Sequence, residues 1–152
     1  MELTDRVAVI TGGSGGIGQA MARAFLAAGA RTVVLADLDE TAVNDAAKDI
    51  GCEGMPCNVT DESQVRQLIA TTLERHGQID LLCSNAGAGG DGVLTDADNA
   101  VWQNQWELHV MSHLYAARAA LPSMLARGEG YLLNTASAAG LLAALGSGPY
   151  TV

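Results

Sequence analysis

Five glycines lie within the segment from Thr11 to Gly18, which has the sequence TGGSGGIG. Glycine allows a tight turn and lets the backbone approach a pyrophosphate, whose negative charge is attracted to the free N–H groups at the start of a helix. Asp37 follows about 20 residues later, where a carboxylate can accept hydrogen bonds from both hydroxyls of a ribose. The spacing predicts a dinucleotide site; the alternative is an ordinary glycine-rich turn beside a surface aspartate. The predicted contacts here are Gly12, Ser14, Gly16, Ile17, Gly18 and Asp37.

Short apolar strands alternate with amphipathic helices along the chain. The strands are predicted over residues 6–11, 31–36, 54–57, 79–84 and 130–135, and the helices over 17–28, 39–50, 61–76 and 100–126. Asp61 is a suitable N-cap for the third helix, and Gly77 is a suitable stop for it. Strands that alternate with helices of this length form right-handed βαβ units. The sequence therefore predicts a single α/β domain over residues 1–152, with a doubly wound, Rossmann-like parallel sheet between two layers of helices.

The composition argues against several kinds of partner. With 17 acidic and 8 basic side chains, the 152-residue chain has a formal net charge of −9, which repels nucleic acid and acidic lipid. No apolar run reaches the roughly 18 to 20 residues of a membrane span, and the N-terminus lacks the pattern of a secretory signal. We therefore expect a cytoplasmic protein with no nucleic-acid or membrane partner. Cys52, Cys57 and Cys83 form no C-x-x-C pair, so free thiols are expected.

Three short motifs resemble those of the short-chain dehydrogenase/reductase family. Thr11, Gly12, Gly16 and Gly18 match the family's T-G-x-x-x-G-x-G. The segment SNAG at residues 84–87 is similar to the family's N-N-A-G, with serine in place of the first asparagine. Asn58 stands where the family usually has an aspartate that contacts adenine, and its amide oxygen can still accept a hydrogen bond. The resemblance implies further cofactor contacts at Asn58, Val59, Asn85, Ala86, Gly87, Thr135 and Tyr150.

The cofactor that the resemblance implies is a nicotinamide dinucleotide, and the residues expected near its ribose favour NAD over NADP. Asp37 would repel a 2′-phosphate at close range. Leu38 adds no positive charge, and Gly15 stands where NADP-preferring relatives often carry a basic residue. The sequence therefore predicts NAD(H) as the cofactor.

Ser137 and Tyr150 resemble the reacting pair of the family in identity and in separation. The resemblance implies that the Ser137 hydroxyl orients the substrate oxygen and that Tyr150 transfers a proton, while a hydride moves between the substrate carbon and the nicotinamide. Taken alone, Ser137 would be a loop serine and Tyr150 a half-exposed aromatic residue. The implied substrate is an alcohol or a ketone, and the apolar segment 141–145 suggests a hydrophobic one.

The sequence departs from the family pattern in its catalytic machinery. His109 lies where the family has an asparagine that anchors a water molecule, so His109 is the third predicted catalytic residue. His109 and His113 could instead pack on a helix face; a metal pair at this spacing lacks a third ligand, and no metal is predicted. The family's Y-x-x-x-K lysine would fall two residues beyond Val152. The resemblance therefore implies the N-terminal portion of a family member, incomplete after the fifth strand.

The leading interpretation is an NAD-dependent oxidoreductase of this family that forms a homo-oligomer, either a dimer or a tetramer. The alternative from a different functional class is a truncated, catalytically incompetent nucleotide-binding module. A flavodoxin-like signalling domain is disfavoured because it would not explain Ser137 and Tyr150 together.

Overall fold

The computed structural model describes residues 1–90, 92–142 and 145–151. Its strands are β1 (Val7–Thr11), β2 (Thr32–Asp37), β3 (Glu53–Pro56), β4 (Leu81–Ser84) and β5 (Tyr131–Asn134). All pair in parallel, in the order β3-β2-β1-β4-β5. Because the chain moves outward from β1 in both directions, the loops after β1 and β4 diverge and leave a crevice at the carboxyl ends of the strands. This arrangement confirms the predicted doubly wound fold.

Helices cover both faces of the sheet. They are α1 (Gly16–Ala27), α2 (Glu40–Ile50), α3 (Glu62–His76), α4 (Asn99–Trp106) and α5 (Ser112–Arg127). The N-cap and stop predicted for α3 are confirmed, since the Asp61 side chain accepts a hydrogen bond from the Ser63 N–H and Gly77 follows the helix with φ of 77°. The strand and helix boundaries differ from the predicted ones by at most two residues, which is the usual uncertainty at fraying ends.

The long helix predicted over residues 100–126 is wrong in one respect, because it is interrupted. A π-helical turn, Glu107–Met111, separates α4 from α5. Such a turn inserts one extra residue into the helix and is frequent at functional sites. Hydrophobic periodicity over this stretch did not reveal the insertion.

The core consists of two apolar layers, one on each face of the sheet. Every residue of β1 is buried, and its side chains alternate between the layers. One layer joins the sheet to α3 and α5 through residues such as Leu68 and Ala120. The other joins it to α1 and α2 through Ala22 and Val43. Full burial of such side chains contributes roughly 1.5 to 3 kcal/mol for each large one, which makes the sheet a rigid base for the loops at its carboxyl edge.

The two sheet edges differ in exposure. Tyr131, Leu132 and Leu133 of β5 are 46%, 39% and 47% exposed, whereas three of the four residues of β3, at the other edge, are half-buried. Among the described residues, β5 pairs only with β4.

None of the helices in the described ranges has the length and apolar content needed to cross a membrane.

Candidate active site

The loop between β1 and α1 is anchored to the end of β4. The Thr11 hydroxyl accepts hydrogen bonds from the Asn85 N–H at 2.9 Å and the Ala86 N–H at 3.1 Å. Gly12 has φ of +66°, and a Cβ atom there would lie 2.8 Å from the Ala86 Cα. A side chain at Gly12 would therefore collide with the backbone after β4. Sequence reasoning had placed the pyrophosphate in that space, but the structure shows that packing within the protein already requires this glycine.

The other glycines of the loop divide into two kinds. Gly18 packs against the loop itself, since a Cβ atom there would overlap the carbonyl oxygen of Gly12. Gly16 has no described atom within 4 Å of the corresponding Cβ position, and Gly15 has only the Gly12 carbonyl oxygen, at 3.4 Å. Both Gly15 and Gly16 line the cleft. Packing within the described structure thus explains Gly12 and Gly18, whereas Gly16 leaves space that a ligand could occupy.

Asp37 lies at the end of β2, with its carboxylate directed at the glycine loop. Its Oδ2 atom accepts hydrogen bonds from the Ser14 N–H at 2.9 Å and the Ser14 hydroxyl at 2.6 Å. Its Oδ1 atom accepts one from the Leu38 N–H at 2.8 Å. Sequence reasoning assigned Asp37 and Ser14 separately to the cofactor and missed the contact between them, because residue spacing carries no information about it.

The segment after β3 forms another wall of the cleft, which Cys57, Asn58, Val59 and Thr60 line. The Asn58 side-chain oxygen accepts hydrogen bonds from the Thr60 N–H at 3.1 Å and the Thr60 hydroxyl at 2.8 Å. An amide oxygen has two lone pairs, so both are in use. The expectation that this oxygen is available to an adenine amino group does not agree with the geometry.

Asn85 links the ends of three strands. Its Nδ2 donates to the Thr11 carbonyl oxygen at 3.0 Å, and its Oδ1 accepts from the Thr135 hydroxyl at 3.0 Å. Asn85 and Thr135 both line the cleft as predicted, together with Ala86 and Gly87. The hydrogen bonds that Asn85 forms with Thr135 and with Thr11 of β1 hold the ends of these strands together.

His109 lies on the π-helical turn, beside Tyr150. Its Nε2 is 2.9 Å from the Ala88 carbonyl oxygen, and its ring meets the Tyr150 ring edge-on, with centroids 5.3 Å apart and an interplanar angle of 75°. Because a carbonyl oxygen can only accept, Nε2 carries the proton, and Nδ1 of the neutral ring is the acceptor. The ring also contacts the backbone near Gly87, where a Cβ atom would lie 3.0 Å from its Cε1.

His113 lines the cleft one turn further along, although sequence reasoning did not place it there. Burial lowers the pKa of His113, and a side-chain hydrogen bond with Asn134 opposes that effect. Because its pKa is lowered, His113 is neutral near neutral pH.

The described parts of the chain contain no cluster of three or more His, Cys, Asp or Glu side chains that could hold a metal ion.

Ser137 and Tyr150 both line the cleft, and each lies at one end of a short 3₁₀ turn that follows β5 in the chain. The Ser137 hydroxyl oxygen accepts a hydrogen bond from the Ala139 N–H at 3.1 Å and caps a short 3₁₀ turn, Ala138–Gly140. Tyr150 ends a second 3₁₀ turn, Gly148–Tyr150. The chain around this second turn joins the loop after β4 through hydrogen bonds between Gly92 and both Gly146 and Gly148. Ala143 and Ala144, within the apolar segment 141–145, lie outside the described residues.

One cleft of about 990 Å³ contains every predicted site residue. They are Gly12, Ser14, Gly16, Ile17, Gly18, Asp37, Asn58, Val59, Asn85, Ala86, Gly87, His109, Thr135, Ser137 and Tyr150. Asn104, Leu108 and Asn134 also line it and were missed. Asn134 directly precedes the predicted contact Thr135, and that position could have indicated it. Asn104 and Leu108 face the cleft together with His109 at the π-helical turn, which the sequence pattern did not indicate.

The cysteines take no part as nucleophiles. Burial raises the pKa of the Cys57 thiol, which lines the cleft, to about 11. It raises the pKa of Cys83 to about 12 and that of Cys52 to about 11. All three are free thiols, as expected, and are protonated at neutral pH, so they lack the thiolate that reactivity requires.

Comparison with known proteins connects this geometry to one family. The family model for short chain dehydrogenases matches residues 6–152. An uncharacterized oxidoreductase of Staphylococcus saprophyticus is 36% identical over 146 residues, which cover 92% of this chain and 62% of the relative. An uncharacterized oxidoreductase of Staphylococcus aureus strain USA300 is 34% identical over 141 residues, covering 91% of this chain and 61% of the relative. The chain thus spans about three-fifths of the length of these relatives.

A solved structure is similar over nearly the whole chain. The crystal structure of a short-chain dehydrogenase/reductase from Burkholderia phymatum in complex with NAD superposes with a TM-score of 0.94 at 35% sequence identity. The match covers 99% of this chain and 56% of that chain.

Proposed function

The chain belongs to the short-chain dehydrogenase family, and we propose that it acts as an NAD-dependent oxidoreductase on an alcohol or a ketone. The observation that carries this proposal is that one cleft contains the glycine loop, Asp37, Ser137 and Tyr150. Asp37 ends β2 and Ser137 follows β5, so the dinucleotide-binding and reacting residues lie on opposite sides of β1 and β4. A dinucleotide that extends across the strand ends would bring its nicotinamide ring close to Ser137 and Tyr150.

Several residues fit a bound dinucleotide. The open space at Gly16, together with the start of α1, suits a pyrophosphate that is bound by backbone N–H groups. Asp37 suits the hydroxyls of an unphosphorylated ribose and disfavours a 2′-phosphate, and Leu38 beside it brings no cation. The NAD complex of the Burkholderia phymatum relative supports the same choice of cofactor. The remaining contacts in this proposal are Ile17, Val59, Ala86, Gly87 and Thr135. Ser14 and Asn58 line the same cleft, but their side chains already form hydrogen bonds within the protein.

In the proposed reaction, Ser137 and Tyr150 act on the substrate oxygen. The Ser137 oxygen accepts from Ala139, so its own O–H group can donate to a substrate oxygen and orient it. Tyr150 transfers a proton to or from that oxygen through its phenolic hydroxyl. The bound nicotinamide would supply the hydride donor or acceptor. Leu141 and Leu142 follow the cleft residue Gly140 and are 89% and 71% exposed, and an apolar substrate that extended past Gly140 would cover them.

His109 is the third residue in the proposed catalytic machinery. The Ala88 carbonyl holds its Nε2–H, so the neutral ring keeps Nδ1 as a proton acceptor within the cleft. Its edge-on contact with Tyr150 limits the motion of the phenol ring. His109 therefore orients Tyr150 and offers a second group that can exchange protons near it.

The test combines cofactor binding with turnover. Calorimetric titration should show tighter binding of NAD than of NADP, and nicotinamide absorbance should report turnover in a screen of apolar alcohols, ketones and aldehydes. In a chain that includes the Y-x-x-x-K lysine, Tyr150→Phe should lower turnover by roughly 10²- to 10⁴-fold, because it removes the proton donor, while NAD affinity stays nearly unchanged. Tyr131→Phe, on the exposed strand β5, is the matched control. A protein that binds no NAD would overturn the proposal; NAD binding without turnover of any compound would instead support the nucleotide-binding module.

A further inference from the structure

The glycine loop and the end of β2 are joined by a short chain of hydrogen bonds centred on Ser14. The Ser14 N–H and hydroxyl both donate to the same carboxylate oxygen of Asp37, at 2.9 and 2.6 Å. The Ser14 carbonyl in turn accepts a hydrogen bond from the Gln19 side chain on α1 at 2.7 Å. The neighbouring Gly13 N–H donates to the Ala36 carbonyl on β2 at 3.0 Å. Ser14 is therefore held in place from both sides.

These bonds orient the Asp37 carboxylate. A carboxylate can accept about four hydrogen bonds, and three of these positions are used by Ser14 and by the Leu38 N–H. Donors on both oxygens prevent the group from rotating freely, and hydrogen bonds to an ionised acceptor are stronger than neutral ones. The negative charge is thus fixed at one point on the wall of the cleft.

We propose that Ser14 is a positioning residue that sets the preference of the cleft for NAD over NADP by holding the Asp37 carboxylate in place. This inference rests on the proposed NAD-binding function. A carboxylate that is already oriented loses little entropy when it accepts a ribose hydroxyl, so NAD gains affinity. A 2′-phosphate meets a negative charge that cannot turn away, so NADP loses affinity. Without the Ser14 hydroxyl, Oδ2 keeps only the backbone N–H of residue 14 as a donor, so the carboxylate is held less tightly and can shift further from the phosphate.

A double-mutant cycle separates this role from two alternatives, which are general damage to the loop and direct contact between Ser14 and the dinucleotide. The proteins needed are the wild type, Ser14→Ala, Asp37→Ala, the double variant and Ser14→Thr, with Kd measured for NAD and for NADP. Loss of one hydrogen bond predicts that Ser14→Ala weakens NAD binding by about threefold to tenfold and narrows the ratio of the two Kd values. Ser14→Thr, which keeps a hydroxyl, should retain the wild-type ratio. In the Asp37→Ala background, Ser14→Ala should leave the NAD Kd unchanged, because the group through which it acts is gone.

Several outcomes would contradict the inference. An equal loss of affinity for NAD and NADP in Ser14→Ala would show general damage to the loop, and melting curves would reveal whether the fold is affected. A loss that persists in the Asp37→Ala background would show that Ser14 contacts the dinucleotide directly. If the wild type prefers NAD and Ser14→Ala has the same ratio of Kd values for NAD and NADP, this inference is refuted and the proposed function is not affected. A wild type that binds neither dinucleotide would overturn the proposed function, and this inference with it.

Discussion

At the scale of single residues, Gly12 and Gly16 belong to the same loop but lack side chains for different reasons. A side chain at Gly12 would collide with the backbone after β4 and would be strained by the positive φ of 66°. Gly16 lines the cleft, and a Cβ atom there would meet no atom of another described part of the chain within 4 Å. The two positions therefore separate the requirements of folding from those of ligand binding.

This difference predicts opposite effects of the same substitution. Gly16→Val should weaken NAD binding by about tenfold or more, because the branched side chain takes up ligand space, while the Tm changes little. Gly12→Val should lower the Tm markedly, since a left-handed conformation costs roughly 1 to 2 kcal/mol for a residue with a Cβ atom and the collision adds to that cost. Calorimetric titration and thermal unfolding of both variants test the prediction. If Gly16→Val bound NAD as the wild type does, the pyrophosphate site would have to lie elsewhere.

His109 provides a second prediction at this scale. His109→Asn removes the edge-on contact with the Tyr150 ring. Such contacts are worth about 0.5 to 1.5 kcal/mol, so turnover with a substrate from the screen should fall by up to about tenfold while the Kd for NAD stays the same. An unchanged rate would show that the histidine is interchangeable with asparagine here.

At the scale of secondary structure, the π-helical turn decides what the helix between β4 and β5 contributes to the site. Asn104, Leu108, His109 and His113 all line the cleft, although adjacent residues such as Leu108 and His109 point in directions about 100° apart on a regular α-helix. The wider turn, Glu107–Met111, adds one residue at this point and lets both side chains face the cleft. The interruption of the helix is thus a feature of the site.

The N-cap of α3 yields a prediction about pH. Two hydrogen bonds from Ser63 lower the pKa of Asp61 below its usual value. The bond from the Ser63 hydroxyl has the larger effect, and the bond from its N–H the smaller one. A carboxyl whose pKa is lower in the folded state stabilises the fold above its unfolded pKa, and this contribution disappears as the pH falls through the folded pKa. Asp61→Asn should therefore lower the Tm slightly at neutral pH, and the difference from the wild type should vanish at a pH well below about 4. Thermal unfolding over a pH series measures this difference, and Asp45→Asn, at an exposed position of α2, is the control. A difference that persisted in acid would contradict the assignment.

At the scale of the whole molecule, the apolar edge strand β5 is the feature most able to drive self-association. Tyr131, Leu132 and Leu133 are each at least 39% exposed, and Leu125 of the adjacent helix α5 is 74% exposed. An exposed edge strand offers unpaired backbone N–H and C=O groups to another chain, and apolar side chains add to the attraction. The 152-residue chain should therefore form dimers or larger species in solution.

The test of this prediction is a charge placed on the edge. Leu132→Lys should shift the mass measured by light scattering toward that of a single chain, because lysine on an edge strand opposes strand pairing. Leu94→Lys is the control, since Leu94 is 80% exposed but lies outside the sheet. A wild-type chain that is monomeric at high concentration would show that this edge does not drive association.

The sequence by itself determined the order of strands and helices along the chain, the cap and stop of α3, and the glycine loop with Asp37 as part of the site. These features depend on apolar periodicity and on the backbone preferences of residues such as Gly77 and Asp61, which act over a few positions along the chain. Motif resemblance added Ser137 and Tyr150, which no local pattern marks.

Only the tertiary structure decided which polar groups pair with one another. Thr11 and Asn85 are 74 residues apart and meet because β4 lies beside β1; Ser14 and Asp37 are 23 residues apart and meet because β2 lies on its other side. The same contacts explain why Gly12 cannot carry a side chain and why Asp37 faces the loop. A hydrogen bond requires its two groups to be within about 3 Å, and for residues this far apart in sequence that proximity is set by strand order and sheet register, which no single segment encodes.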